Sequence, residues 1–238
     1  MTEIPGSGPA KRKTRAVFER ETRQLIRLQT IMDVIYAIII WRLFMILPRP
    51  ELDEWDGGAR VIDVLVTYSD SFLVLLVGLV LILVYWGQSN KLFGNLARTD
   101  GPHAAISVFQ VVFLLVYLYF VGLDIRFEGD RSVLFLQSLS LALAGFVAVA
   151  AWAYAGKNRR LVSEAITDEE VKELRISILP EPITALLTVP FVWVGRGWWT
   201  LAWLLAIPIG ILLKRSRQDS SASGGESASE RPTLTQQE

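Results

Sequence analysis

The sequence predicts an all-α membrane protein with six transmembrane helices in each subunit and both termini in the cytoplasm. Hydrophobic residues make up 52% of the 238 residues, and the mean hydropathy is +0.38. These residues form blocks of about 20, the length at which a helix crosses a bilayer core of about 30 Å. Lysine and arginine crowd into alternate connections between the blocks, as the positive-inside rule requires of cytoplasmic loops.

The predicted spans follow one another along the chain with short connections. They cover residues 25–47, 64–86, 103–123, 133–155, 176–194 and 197–213. Only the sequence GRG separates the last two, which are therefore expected to form a helical hairpin. Basic residues cluster before the first span, between the second and third, after the fourth and after the sixth. This pattern places both termini on the cytoplasmic side.

Polar segments are expected to flank and interrupt a membrane domain over residues 17–215. Residues 1–16 form a basic N-terminus, and residues 216–238 form a polar tail. Neither segment contains enough apolar surface to offset the entropy of ordering, so both are expected to be disordered. Between the fourth and fifth spans, Thr167 and Glu170 have the spacing of a capping box, which predicts a short surface helix.

The composition argues against several kinds of chemistry. The sequence has no cysteine and one histidine, His103, which excludes disulfides and thiol nucleophiles and leaves little room for a metal site. It shows no phosphate-binding glycine loop and no Ser/His/Asp set. We therefore expect neither an enzyme nor a cofactor, and nucleic acid is not an expected partner.

Charged residues inside the first span are the strongest functional signal. Asp33 and Arg42 interrupt its apolar run, and a charge at the bilayer centre costs roughly 2.5–3.5 kcal/mol. Asp33 is therefore expected to face protein and to accept hydrogen bonds from Arg27 or from the segment 85–90 of the second span. Two interpretations of Asp33 remain open. It either only locks the first helix to the second, or it also has a functional role.

Two stripes run along the first helix at three- and four-residue steps. One stripe consists of Ile31, Ile35, Ile38, Arg42 and Met45. The other consists of Asp33, Ala37, Ile40 and Phe44. An isoleucine stripe taken alone is more typical of ordinary helix packing than of a pore.

The segment RLQTIMD resembles a known family signature, Arg-x-x-x-Phe-Ser-Asp early in the first of six spans. Arg27 and Asp33 match it, whereas Ile31 and Met32 replace the aromatic residue and the serine. The signature is that of the transmembrane protein 175 family, the endosomal and lysosomal potassium channels and their bacterial single-repeat relatives. The second span, with Trp86 ahead of a polar group and Leu-Phe, and the C-terminal hairpin are also similar, so the resemblance covers about residues 20–215.

The resemblance implies a homotetramer in which the first helix of each subunit lines a central pore. It implies a potassium-preferring monovalent cation channel in a lipid bilayer, here a prokaryotic plasma membrane, with an apolar constriction at Ile38. The pore-lining residues would be Ile31, Ile35, Ile38, Arg42 and Met45. The residues that hold this helix would be Arg27, Asp33, Trp86, Ser89 and Asn90.

Trp41 and Arg42 favour an alternative. Arginines around a pore mouth would repel cations, since a unit charge at about 6 Å costs ~3 kcal/mol at an effective dielectric constant of 20. Arg42 could instead extend to the outer interface and pair with acidic residues of the following loop, which are Glu51, Asp53, Glu54 and Asp56. The alternative is a non-conducting structural or regulatory membrane protein that keeps the fold. A coupled transporter is disfavoured because the sequence shows no paired repeats.

Overall fold

The computed structural model describes residues 9–47, 61–127, 130–205 and Ile209. Within these residues the chain forms eight α-helices joined by turns and short 3₁₀ segments. The helices are α1 (Pro9–Met45), α2 (Val61–Thr67), α3 (Ser69–Gly94), α4 (Gly101–Phe127), α5 (Arg131–Gly156), α6 (Asp168–Ser177), α7 (Pro180–Thr188) and α8 (Arg196–Ala202).

Five helical stretches among the described residues are long and apolar enough to cross a membrane. They are Val17–Met45, Ser69–Gly94, Gly101–Phe127, Arg131–Arg159 and Asp168–Trp193. The predicted all-α membrane class is therefore confirmed. The sixth predicted span begins as α8 and a 3₁₀ turn at Trp203–Leu205, and most of its remainder lies outside the described residues.

The first helix is longer than the span predicted from hydropathy. α1 begins at Pro9, where the fixed φ angle of proline suits the first turn of a helix. It therefore includes part of the segment 1–16 that was expected to be disordered, while residues 1–8 and the tail 216–238 lie outside the described residues.

Prolines divide the fifth span, which was predicted over 176–194 and overlaps the apolar stretch Asp168–Trp193. α6 ends at Ser177, α7 begins at Pro180, and a 3₁₀ turn containing Pro190 follows over Val189–Trp193. Proline has no backbone N–H and crowds the preceding turn, which explains both breaks. The second span is also interrupted, at Tyr68 between α2 and α3.

The predicted capping box between the fourth and fifth spans is confirmed. Glu170 N donates to Thr167 Oγ1 at 3.2 Å, and Thr167 N donates to Glu170 Oε2 at 2.6 Å. Each side chain thus satisfies a backbone donor that the first turn of α6 leaves free.

The core of the described bundle is centred on α5, which packs against α4 on one side and α7 on the other. Gly145 lies where α5 meets α7, and Pro182 and the Tyr85 hydroxyl crowd it. A glycine is required here because any side chain would occupy the space of the proline ring.

Replacing Gly145 with alanine is therefore expected to destabilise the protein by about 1–3 kcal/mol. The added Cβ would lie 2.7 Å from Pro182 Cβ and 2.8 Å from Tyr85 Oη. Thermal unfolding of the detergent-solubilised protein measures the effect. Gly94→Ala is the matched control, because its Cβ would meet nothing within 4 Å. Equal midpoints for the two variants would contradict the close packing.

Candidate functional site

The first helix packs against its own subunit through a stripe that the sequence analysis did not single out. Its members are all buried and consist of Leu25, Leu28, Met32, Tyr36, Ile39 and Leu43. These side chains contact the bundle formed with α3 and α4. The two stripes described from the sequence therefore flank this buried seam and do not form it.

The predicted pore-lining residues lie mostly on the face that α1 turns away from its own subunit. Ile31, Ile38 and Met45 are exposed by 53%, 50% and 41%, and Arg42 is exposed as well. Ile35 is half-buried beside the core. A single subunit thus presents an uncovered apolar stripe that ends in an arginine.

The structure brings Asp33 together with the second predicted span. Trp86 Nε1 donates to Asp33 Oδ1 at 3.1 Å. With the Asn90 amide turned to the orientation that satisfies both neighbours, its nitrogen donates to the same oxygen at 3.3 Å, and its oxygen accepts from Trp86 Nε1 at 3.2 Å. This group of three side chains joins α1 to α3.

Arg27 is not part of this group. It is exposed, and no hydrogen bond among the described residues joins it to Asp33. Six residues along a helix amount to about 600° of rotation and about 9 Å of rise, which places the two side chains on different faces. Of the donors considered for Asp33, the indole and amide of α3 are the ones in contact.

A buried polar network lies close to this contact. Ser89 Oγ is 3.0 Å from Tyr36 Oη, and Gln110 Nε2 donates to both oxygens at 3.4 Å. All three residues are buried, so the network joins α1, α3 and α4. Ser89 was predicted from the sequence to hold the first helix, whereas Tyr36 and Gln110 were not predicted. Polar side chains within apolar spans are nevertheless a usable signal of such contacts.

A partly buried ion pair at the other end of the bundle was also missed. Arg196 is the first residue of α8, and its Nη2 donates to Asp124 Oδ2 at 3.3 Å. The Asp124 side chain is 0% exposed. The pair fixes the C-terminal end of α4 to the hairpin, and the available signal was an acid directly after the third apolar span.

A groove between the C-terminal ends of α1 and α4, here called the outer groove, has a volume of about 580 Å³. Arg42 and Arg126 lie along it, together with apolar side chains that include Ile46, Leu115 and Leu118. The acidic residues expected to pair with Arg42, in the segment 51–56, lie outside the described residues. None of the ion pairs among the described residues involves Arg42.

Two solved structures have the same overall architecture as this chain. The first is a homologue of the lysosomal potassium-selective channel TMEM175 from Chamaesiphon minutus, with a TM-score of 0.64 and 16% identity over 80% of this chain and 98% of that chain. The chain shares the fold of TMEM175 homologues. The second is a variant of the potassium channel MtTMEM175 in complex with a nanobody–MBP fusion, with a TM-score of 0.57 and 19% identity over 81% of this chain and 93% of that chain.

The TMEM175 fold agrees with the resemblance noted around Arg27 and Asp33. Searches of family models and of curated proteins found no match to this chain. The likeness therefore lies in helix arrangement over most of the chain.

Proposed function

We propose that the protein is a member of the TMEM175 family and a potassium-preferring monovalent cation channel. The observation that carries the proposal is the uncovered apolar stripe of α1, around Ile38, in a chain whose fold is shared with two potassium channels. The channel is a homotetramer in which the α1 helices surround the pore. Each subunit spans the membrane six times through residues 17–215, in a prokaryotic plasma membrane.

The proposed orientation places both termini in the cytoplasm. The N-terminal part of α1 lies beside the connections that follow α3 and α5, because Arg98 pairs with Glu21 and Ala97 N donates to Leu161 O. Basic side chains concentrate at this end of the bundle, and Lys157, Arg159 and Arg160 are among them. The positive-inside rule assigns such an end to the cytoplasm.

Ile38 forms the constriction in this proposal, with Ile31 and Ile35 on its cytoplasmic side and Arg42 and Met45 toward the outer mouth. A ring of isoleucines offers no oxygen to replace the hydration shell of an ion. A cation must shed part of its water to pass, and the free-energy cost of that loss depends on ion size. Conduction is passive and requires no catalytic group.

The contacts of α1 hold this constriction in register. Asp33 is held by Trp86 and Asn90, and Ser89 by Tyr36 and Gln110. Hydrogen bonds between membrane helices contribute on average only about 0.6 kcal/mol each to stability. The main effect of the two groups is therefore to fix the rotation of α1 about its axis. Arg27, exposed at the cytoplasmic side, belongs to the same motif without sharing these bonds.

Cysteine substitution tests which face of α1 lines the pore. The chain has no cysteine, so a single introduced thiol reports without background. Potassium flux through reconstituted Ile38→Cys is expected to fall at least several-fold on addition of a charged, membrane-impermeant thiol reagent. The matched control is Ile39→Cys, because Ile39 is 0% exposed and faces its own subunit. Equal insensitivity of both variants in conducting liposomes would contradict the proposed pore face.

A non-conducting structural or regulatory protein with the same fold is the second candidate. The observation that favours it is the exposure of Trp41, which is 61% exposed, next to the exposed Arg42 on α1. A bulky indole and a cation near the outer mouth would both oppose cation passage. In that case the α1 faces pack together without a continuous aqueous path.

A further inference from the structure

The outer groove combines basic and apolar side chains. Its volume of about 580 Å³ lies within the range of roughly 300–1,000 Å³ found for ligand sites. Arg42 and Arg126 line it together with leucine and isoleucine side chains. The lining of the groove is thus both cationic and apolar.

Within the described part of the chain, the two guanidinium groups of the outer groove have no acidic partner. No ion pair among the described residues includes Arg42 or Arg126, and the acid nearest to Arg126 along α4, Asp124, is buried against Arg196. Both arginines lie in the last turn of their helices, where the helix dipole offsets only about 0.3–1 kcal/mol. Two like charges that share one groove favour an anion between them.

We propose that the outer groove binds an acidic phospholipid of the outer leaflet, with its phosphate between Arg42 and Arg126. A guanidinium fork matches phosphate oxygens in pairs, which gives short charge-assisted hydrogen bonds. Leu115, Leu118 and Ile46 provide an apolar wall for the first part of an acyl chain. A free phosphate ion would leave that wall unused, so the lipid is the occupant that fits the whole groove.

The lipid has a consequence for conduction, which rests on the proposed function, as does the assignment of the groove to the outer leaflet. A bound phosphate would neutralise Arg42 at the outer mouth of each subunit. Cations would then meet a weaker repulsive field, because the lipid charge lies beside the guanidinium group. The groove is therefore a regulatory site through which membrane composition sets the rate of cation passage.

Lipid retention tests the site without requiring any conduction. The intact protein is equilibrated in mixed micelles of phosphatidylglycerol and phosphatidylcholine, and bound phosphatidylglycerol per subunit is counted by native mass spectrometry. Arg126→Gln and Arg42→Gln are each expected to lower retention at least threefold, whereas Arg126→Lys retains more than Arg126→Gln. Arg131→Gln is the matched control, because Arg131 lines a separate cavity with Phe135 and Trp193, and its retention should equal that of the wild type.

Three outcomes would overturn the proposal. Retention could be equal in Arg126→Gln and Arg131→Gln, which would place the lipid elsewhere. Phosphatidylcholine could be retained as strongly as phosphatidylglycerol, which would remove the role of net charge. Millimolar inorganic phosphate could displace the lipid completely, which would make the groove a site for a free anion. If no potassium flux is detected while lipid retention is normal, the channel proposal is contradicted and the lipid-site proposal stands.

Discussion

Replacing Arg196 with methionine is expected to lower the free energy of unfolding by roughly 3–5 kcal/mol, the largest effect of any single change considered. Methionine fills a similar volume but leaves the Asp124 carboxylate, 0% exposed, without the guanidinium group 3.3 Å away. A buried charge that loses a counter-ion also loses the attraction that offset part of its desolvation cost. Thermal and denaturant unfolding in a fixed detergent measures the loss.

Two further variants identify the ion pair as the cause. Asp124→Asn should cost less than Arg196→Met, because the Arg196 side chain is 23% exposed and can reach water. The double variant Asp124→Asn with Arg196→Met should be more stable than Arg196→Met alone, since the buried charge is gone. Strictly additive losses in this double-mutant cycle would show that the two side chains do not interact.

Arg42→Gln is expected to raise potassium flux by at least about tenfold in liposomes of neutral lipid at low ionic strength. A cation about 6 Å from one guanidinium group meets ~3 kcal/mol of repulsion at an effective dielectric constant of 20, and each 1.4 kcal/mol corresponds to a factor of ten. Counter-ions reduce part of this repulsion, which leaves a tenfold effect as a conservative expectation. Stopped-flow potassium flux measures it.

Charge and ionic strength separate this effect from a change in side-chain size. Arg42→Lys keeps the positive charge and should conduct like the wild type. The gain from Arg42→Gln should shrink as salt rises, because the Debye length falls from about 30 Å at 0.01 M to about 3 Å at 1 M. Identical flux through wild type and Arg42→Gln at every salt concentration would indicate that Arg42 does not face the path.

Patterns that depend on local sequence could be predicted well. Long apolar blocks are sufficient to locate the spans because a bilayer selects for length and hydropathy. The Thr167 and Glu170 capping box depends on residues three apart, and it forms as expected. Asp33 also found a partner of the expected kind in Trp86, because antiparallel neighbouring spans bring the start of the first and the end of the second to a similar depth.

Features that depend on pairing between distant segments could not be predicted in the same way. The stripe that contains Tyr36 and Ile39 packs inward, but three apolar stripes of the same helix are equivalent until a neighbour covers one of them. Asp124 and Arg196 are 72 residues apart, and their contact requires the hairpin to fold back on α4. Pro180 and Pro182 already indicated a broken helix end in the sequence, but hydropathy alone did not show where α6 ends and α7 begins.

The most direct test of the channel is the ratio of potassium to sodium flux through wild type and Ile38→Asn in liposomes with verified protein insertion. The proposed constriction predicts that the wild type passes potassium faster than sodium, and that Ile38→Asn passes both ions with a ratio close to one. The amide of asparagine would replace lost hydration water and remove the barrier that discriminates by ion size. Absence of flux through both proteins would contradict the channel and favour a non-conducting role for this fold.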